Sequence, residues 1–321
     1  MKRLSVLMTL LASVAVMLII SLCGCGKPKG LTVKELRIAT GSRSGTYFPV
    51  GETIARALKE HFSDVHVQVL ETDGSVQNMQ LLQEGKANLA LVQSDIANYA
   101  VQGKNMFIRQ KILGVSGIAP LFPEVIQIIT RRADAIKDLK SLKGKKVAVG
   151  TQESGTYYNA QQILAQSGMW DEVNRVNLSP WEAMSSLERR SVDAFFFTTA
   201  LPNPAISELS SRHEIAPIAL PSGMIFNLTN TYPYYFKSQI PPGSYIGATE
   251  GVPTLEIHAL LVSHQSISED DLQLITRTLL GATNLDKLKK MHPQLAGLTR
   301  DSIRRPMSIP LAEGARKALA E

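Results

Sequence analysis

Residues 35–60 read ELRIATGSRSGTYFPVGETIARALKE, and residues 145–168 read KKVAVGTQESGTYYNAQQILAQSG. Each stretch passes from a β-like apolar run, through a loop of glycines and hydroxyl side chains, into a segment with helical spacing. The tetrapeptide Ser-Gly-Thr-Tyr stands at the junction both times, at Ser44–Tyr47 and at Ser154–Tyr157. The first turn of a helix has N–H groups without intrahelical acceptors and carries the positive end of the dipole. With Ser and Thr hydroxyls beside it, such a junction suits a carboxylate or another anion. Two of them predict two lobes facing one ligand.

Working outward, the same alternation fills the chain and predicts an α/β fold with a largely parallel sheet. In the first block, strands are expected over 36–40, 66–70 and 89–92, with helices over 50–61 and 76–84. The second block opens on the β-branched run 125–130. Its expected strands are 146–149, 176–178 and 194–197, and its helices 157–167, 183–190 and 205–211. Residues 220–254 hold Pro221, Pro233, Pro241, Pro242 and Pro253 among Gly, Tyr and Asn, and read as irregular. A strand over 258–262 and one helix over 269–285 then return the chain to the first lobe. The expected division is therefore residues 36–125 plus 258–321 in one lobe and 126–257 in the other, with two crossings.

Lys2 and Arg3 precede the uncharged stretch Leu4–Leu22, which ends at Leu22-Cys23-Gly24-Cys25. That is the layout of a secretory signal over 1–24, followed by a polar tether over 25–35. Cys25, with Gly24 before it and Leu22 at −3, looks like the lipidated cysteine of a bacterial lipoprotein, and an uncleaved membrane anchor is the alternative. Either way the chain is expected outside the cytoplasm. Both cysteines lie in this segment, so a core must supply the stability. Without Lys2 and Arg3 the formal charge falls from +6 to +4 with no basic tract, which argues against a nucleic-acid partner.

No motif points to catalysis. Gly150–Thr156 approaches a phosphate loop, but Thr156 stands where its lysine belongs, and Ser154 lacks the spacing of a nucleophile elbow. The histidines at 61, 66, 213, 258, 264 and 292 have no metal-ligand spacing, so no metal and no cofactor is expected. The candidate ligand-binding residues are Thr40, Gly41, Ser42, Arg43, Gly45, Thr46 and Tyr47 of the first loop, and Ser154, Gly155 and Thr156 of the second. Arg43 is singled out because a guanidinium holds a carboxylate in bidentate fashion. Gln93 and Ser94 follow the strand ANLALV and should emerge at its carboxyl end, where open α/β sheets bind ligands. Thr199 holds the corresponding place in the second block, Ser75 begins a helix, and Tyr245 is a candidate wall.

Several segments together resemble a known family. They are Ile38–Gly41 with Gly45–Gly51, Thr72–Asn78, Ala90–Asp95, Leu139–Gly150, Ser154–Thr156, Val192–Phe196 and Ile240–Tyr245. In order and spacing they are similar to the TAXI group of solute receptors for tripartite ATP-independent periplasmic (TRAP) transporters, over roughly residues 36–300. The resemblance implies a two-lobed class II periplasmic-binding-protein fold. It also implies capture of a small anionic organic solute, such as glutamate or 2-oxoglutarate, and delivery to a TRAP-type permease, by binding and not by catalysis. The chain departs from the family in Ile309–Ala315, which lacks an expected histidine, and in Gly247–Glu250, which lacks an expected Gln-Asp pair. The rival expectations are a substrate-binding lipoprotein of an ATP-driven (ABC) importer or sensor, and an extracytoplasmic hydrolase.

Overall fold

The computed structural model describes residues 30–321, so the signal segment, Cys25 and the tether as far as residue 29 lie outside the described residues. Residues 33–321 form one compact unit. It begins with β1 (Glu35–Ala39), α1 (Tyr47–His61), β2 (His66–Leu70), α2 (Ser75–Gln83), β3 (Leu89–Gln93) and α3 (Ser94–Gln102). Strand β1 lies between β2 and β3 and runs parallel to both. Parallel neighbours need crossovers, which α1 and α2 supply. The apolar run LALVQ of β3 is buried at every position, as a strand covered on both faces requires.

A second unit of the same plan follows. It comprises β5 (Lys146–Ala148), α4 (Gly155–Gln166), β6 (Asn174–Val176), α5 (Pro180–Glu188), β7 (Ala194–Thr199) and α6 (Pro204–Arg212). Here β5 lies between β6 and β7, again parallel to both. The loop carrying each Ser-Gly-Thr-Tyr therefore leaves the central strand of its own three-stranded unit.

Between the units stand two long antiparallel strands, β4 (Val115–Arg131) and β10 (Val252–His264). The earlier part of β4 pairs with β10, and its later part, Val125–Thr130, pairs with β7. Strand β10 pairs with β3 through Ala259–Ser263 and with β9 (Phe236–Ile240) through Val252–Glu256. These strands join the two three-stranded units, and the chain has the expected two-lobed α/β architecture. The remaining elements are β8 (Ile215–Pro217), α7 (Ser222–Thr231), α8 (Glu269–Leu280), α9 (Ala282–Met291) and α10 (Glu313–Ala320).

Three expectations need correction. Residues 220–254 are not irregular, because they hold α7, which buries Met224, Ile225 and Leu228, and β9. Their prolines mark element ends, with Pro221 at the start of α7 and Pro241 just past β9. The expected strand 125–130 starts ten residues earlier, at Val115. Pro120 and Pro123 sit within the ladder opposite Leu260 and His258, where the register shifts between Ala259 and Leu260. The single helix over 269–285 is two, α8 and α9, broken at Gly281. A Cβ there would stand 2.5 Å from the Arg277 carbonyl oxygen, so glycine permits the bend.

Candidate ligand-binding cleft

Thr40, at the end of β1, anchors the first loop to the sheet, its Oγ1 donating to the Leu70 carbonyl at 2.6 Å. The Thr40 carbonyl accepts from Thr72 Oγ1 at 3.0 Å and from Asn78 Nδ2 at 2.5 Å. The loop then turns, with the Ser42 and Ser44 hydroxyls paired at 2.7 Å. Helix α1 begins at Tyr47, and Thr46 at its N-cap makes no capping bond. Thr46 Oγ1 instead pairs with Thr199 Oγ1 at 2.9 Å.

The second loop is organised differently. Gly150 adopts φ +88°, a left-handed conformation natural to glycine. Ser154 caps α4, accepting from the Tyr157 N–H and donating to the Thr151 carbonyl. Thr156 Oγ1 accepts from the Thr198 N–H at 3.2 Å.

The two loops face each other across a cavity of about 60 Å³. Direct contacts join its walls. The Val76 and Gln77 N–H groups, at the start of α2, both donate to the Glu153 carbonyl, at 3.0 and 3.2 Å. That helix terminus is thus satisfied by the opposite loop. Asn203 Nδ2 reaches the Ser44 carbonyl at 3.3 Å. Gln93 lies against Gly155 so closely that a Cβ at 155 would overlap its Oε1. Behind the lining, Asn159 Nδ2 donates to Asp95 Oδ2 at 2.7 Å and to Tyr235 Oη at 3.0 Å, and Asn159 Oδ1 accepts from Oγ1 of the lining residue Thr198 at 2.8 Å.

Among the described residues, the acidic side chains on the lining are Asp73 and Glu124, and no Lys, Arg or His lines it. Glu124 is 2% exposed and accepts from Tyr47 Oη at 2.6 Å. Burial pushes its pKa up to about 8, against the lowering effect of the Tyr47 bond. Burial likewise lifts Asp95 to about 6 and raises Tyr47 well above the ordinary phenol value.

Among the sequence candidates, Gly41, Ser42, Gly45, Thr46, Tyr47, Ser75, Gln93, Ser154, Gly155, Thr156 and Thr199 line the cavity. Thr40, Arg43, Ser94 and Tyr245 stand apart from it. Arg43 is exposed, with Nε 3.1 Å from Glu71 Oε2 and its guanidinium 4.1 Å from the centre of the Phe48 ring, and it lines a neighbouring open cavity with Ser42, Asp73, Ser179 and Trp181. Ser94 accepts from the His258 N–H, and Tyr245 is buried, donating to Gln127. Thr40 supports the loop from below. Among the lining residues that were not sequence candidates, Glu124 is the buried acid. Its signal was present, as the one charged residue in the apolar run APLFPEVIQIIT.

Among the described residues no group of three or more His, Cys, Asp or Glu is placed to hold a metal ion, and no helix is long and apolar enough to cross a membrane.

The model of the NMT1-like family matches residues 38–321. The chain belongs to the NMT1-like family. This NMT1-like chain is also similar to a Bordetella bronchiseptica RB50 protein of solved structure, with TM-score 0.53, 16% identity, and coverage of 91% of this chain and 90% of the other. At that identity the likeness is one of fold. Further similar structures are the alkanesulfonate-binding protein SsuA from Xanthomonas axonopodis pv. citri bound to MOPS, and an ArgBP mutant from T. maritima. The former has TM-score 0.49, 17% identity and coverage of 89% and 83%. The latter has TM-score 0.48, 14% identity and coverage of 80% and 93%.

Proposed function

We propose that this NMT1-like chain is an extracytoplasmic solute receptor, tethered through a lipid on Cys25, that closes on a small solute and presents it to a TRAP-type membrane permease. The observation that carries the reading is the cavity between the two Ser-Gly-Thr loops, lined from both three-stranded units. At about 60 Å³ it is well below the roughly 300–1,000 Å³ typical of small-molecule sites. Admission of a solute then requires the lobes, 36–125 plus 258–321 and 126–257, to part, with β4 and β10 as the hinge. The carboxylate end of the solute is assigned to the hydroxyls of Ser42, Thr46, Ser154 and Thr156 and to the free N–H groups starting α1 and α4. Binding, not bond cleavage, is the assigned role.

Thermal unfolding of the protein against dicarboxylates, keto acids and amino acids tests this reading. At a hundredfold excess over the dissociation constant a ligand adds about 2.7 kcal/mol. That is expected as a shift of several degrees with one compound class, reduced in Thr156→Ala, with no compound consumed. Turnover of the compound would replace the receptor by a hydrolase. Recovery of the chain with an ATP-driven importer would replace the TRAP permease as its partner.

A further inference from the structure

Two polar side chains on the cavity ask for a particular ligand chemistry. Gln93 is only 3% exposed, lines the cavity, and its Oε1 is buried without any hydrogen-bond donor. A buried acceptor of this kind is costly to leave unsatisfied, and a ligand N–H can supply the missing bond after a turn of the terminal amide. On the same cavity, Glu124 Oε2 accepts a hydrogen bond from the Tyr47 hydroxyl, while Oε1 makes no hydrogen bond among the described residues. Both residues thus line the cavity, and among the described residues no protein donor is directed at Gln93 Oε1 or Glu124 Oε1.

The surrounding charges have one sign. The ionisable groups acting on Glu124 are Tyr47 from α1 and Asp95 from α3, and Asp73, from the loop before α2, lines the same cavity. The second lobe contributes the hydroxyls of Thr198 and Thr199 and no ionisable group to the lining, and Glu256 and His258 of β10 line a different cavity. Arg43, the first loop's cation, is engaged by Glu71 and Phe48. A solute with only negative charge would approach two carboxyls and no cation.

We propose that Glu124, together with Gln93 on the same cavity, is an acceptor subsite that selects solutes carrying an N–H donor, above all a protonated nitrogen. The proposal rests on the reading of the cavity as a solute site and adds the chemistry of one end of the solute. A cation against Glu124 favours its ionised form. With burial holding that carboxyl at about 8, seating a protonated nitrogen at neutral pH releases the Glu124 proton, so affinity rises with pH and levels off near pH 8.

Thermal unfolding of the full-length protein in methylammonium chloride, against tetramethylammonium chloride of equal concentration, isolates the N–H group from ionic strength. Methylammonium is expected to raise Tm above the tetramethylammonium control, more at pH 8 than at pH 5.5. In Glu124→Gln its half-saturating concentration should rise at least tenfold. If that variant does not fold, Gln93→Leu provides the second test, with a smaller loss in the same direction. Equal Tm in the two salts, or equal responses of wild type and variant, would overturn the subsite. Stabilisation by sodium acetate but not methylammonium, lost in Thr156→Ala, would also remove the subsite while leaving the solute-receptor reading in place.

Discussion

The two copies of Ser-Gly-Thr-Tyr are identical in sequence and differ in what they do. In the first, the helix begins at the tyrosine and the serine caps nothing; in the second, it begins at the glycine and the serine is the cap. That two-residue offset swings the side chains to different places. Tyr47 turns inward to the Glu124 carboxyl, whereas Tyr157 packs edge-on to Tyr158 and Trp170 and does not line the cavity. Thr46 and Thr156 are the common ground, since both line the cavity and both bond to the end of β7, at Thr199 and Thr198. A repeated tetrapeptide therefore marked a repeated strand-to-helix junction, but the first turn's contacts decided which residue faces the cavity.

The largest test of this asymmetry is electrostatic, because only the first tyrosine leads to a buried acid. Glu124 has an ordinary value of 4.5 and a folded value of about 8. Between these the folded chain holds a proton that the unfolded chain has lost, so the stability from this group is full below about pH 4.5 and declines as pH rises to about 8. Denaturant unfolding of wild type and Glu124→Gln across pH 4–9 should show wild type losing on the order of a few kcal/mol relative to the variant through that window. A gap between the two proteins that stays constant with pH would show that Glu124 does not titrate there.

The tyrosines come next in size. Tyr47→Phe leaves Glu124 Oε2 buried without its donor and is expected to cost about 1–3 kcal/mol. Tyr157→Phe removes a hydroxyl for which the structure shows no bond and should stay within about 0.5 kcal/mol. Equal losses in urea unfolding would mean that the two copies are not distinguished by their tyrosines. Smaller again is the cap. Ser154→Ala is expected to lose about 1 kcal/mol, and Ser44→Ala, whose hydroxyl only pairs with Ser42, under about 0.5 kcal/mol, by the same measurement.

Strands such as 66–70 and 89–93 were legible because their apolar runs are short and bounded by turn residues. The crossings were less so. Strand β4 passes through Pro120 and Pro123, and local rules count each proline as a break, while pairing with β10 carries the strand past both. In the cleft, Thr46, Gln93 and Thr156 were legible as residues at strand ends and helix starts. Arg43 was singled out as a carboxylate holder, and only the fold shows it paired with Glu71, twenty-eight residues away in sequence, and off the lining of the cavity between the loops. Glu124 was hidden because its partner Tyr47 lies seventy-seven residues distant, and nothing local shows that the two meet.

By itself the sequence determined the α/β alternation and the two loops rich in hydroxyl groups, since periodicity, glycine conformation and helix capping act within a few residues. Only the tertiary structure decided that the loops share one cavity, that its lining holds carboxyls and no cation, and that Gln93 rests on Gly155. Those features depend on which distant segments β4 and β10 bring together, and on a burial that raises the Glu124 pKa, and neither is a property of any short stretch of chain.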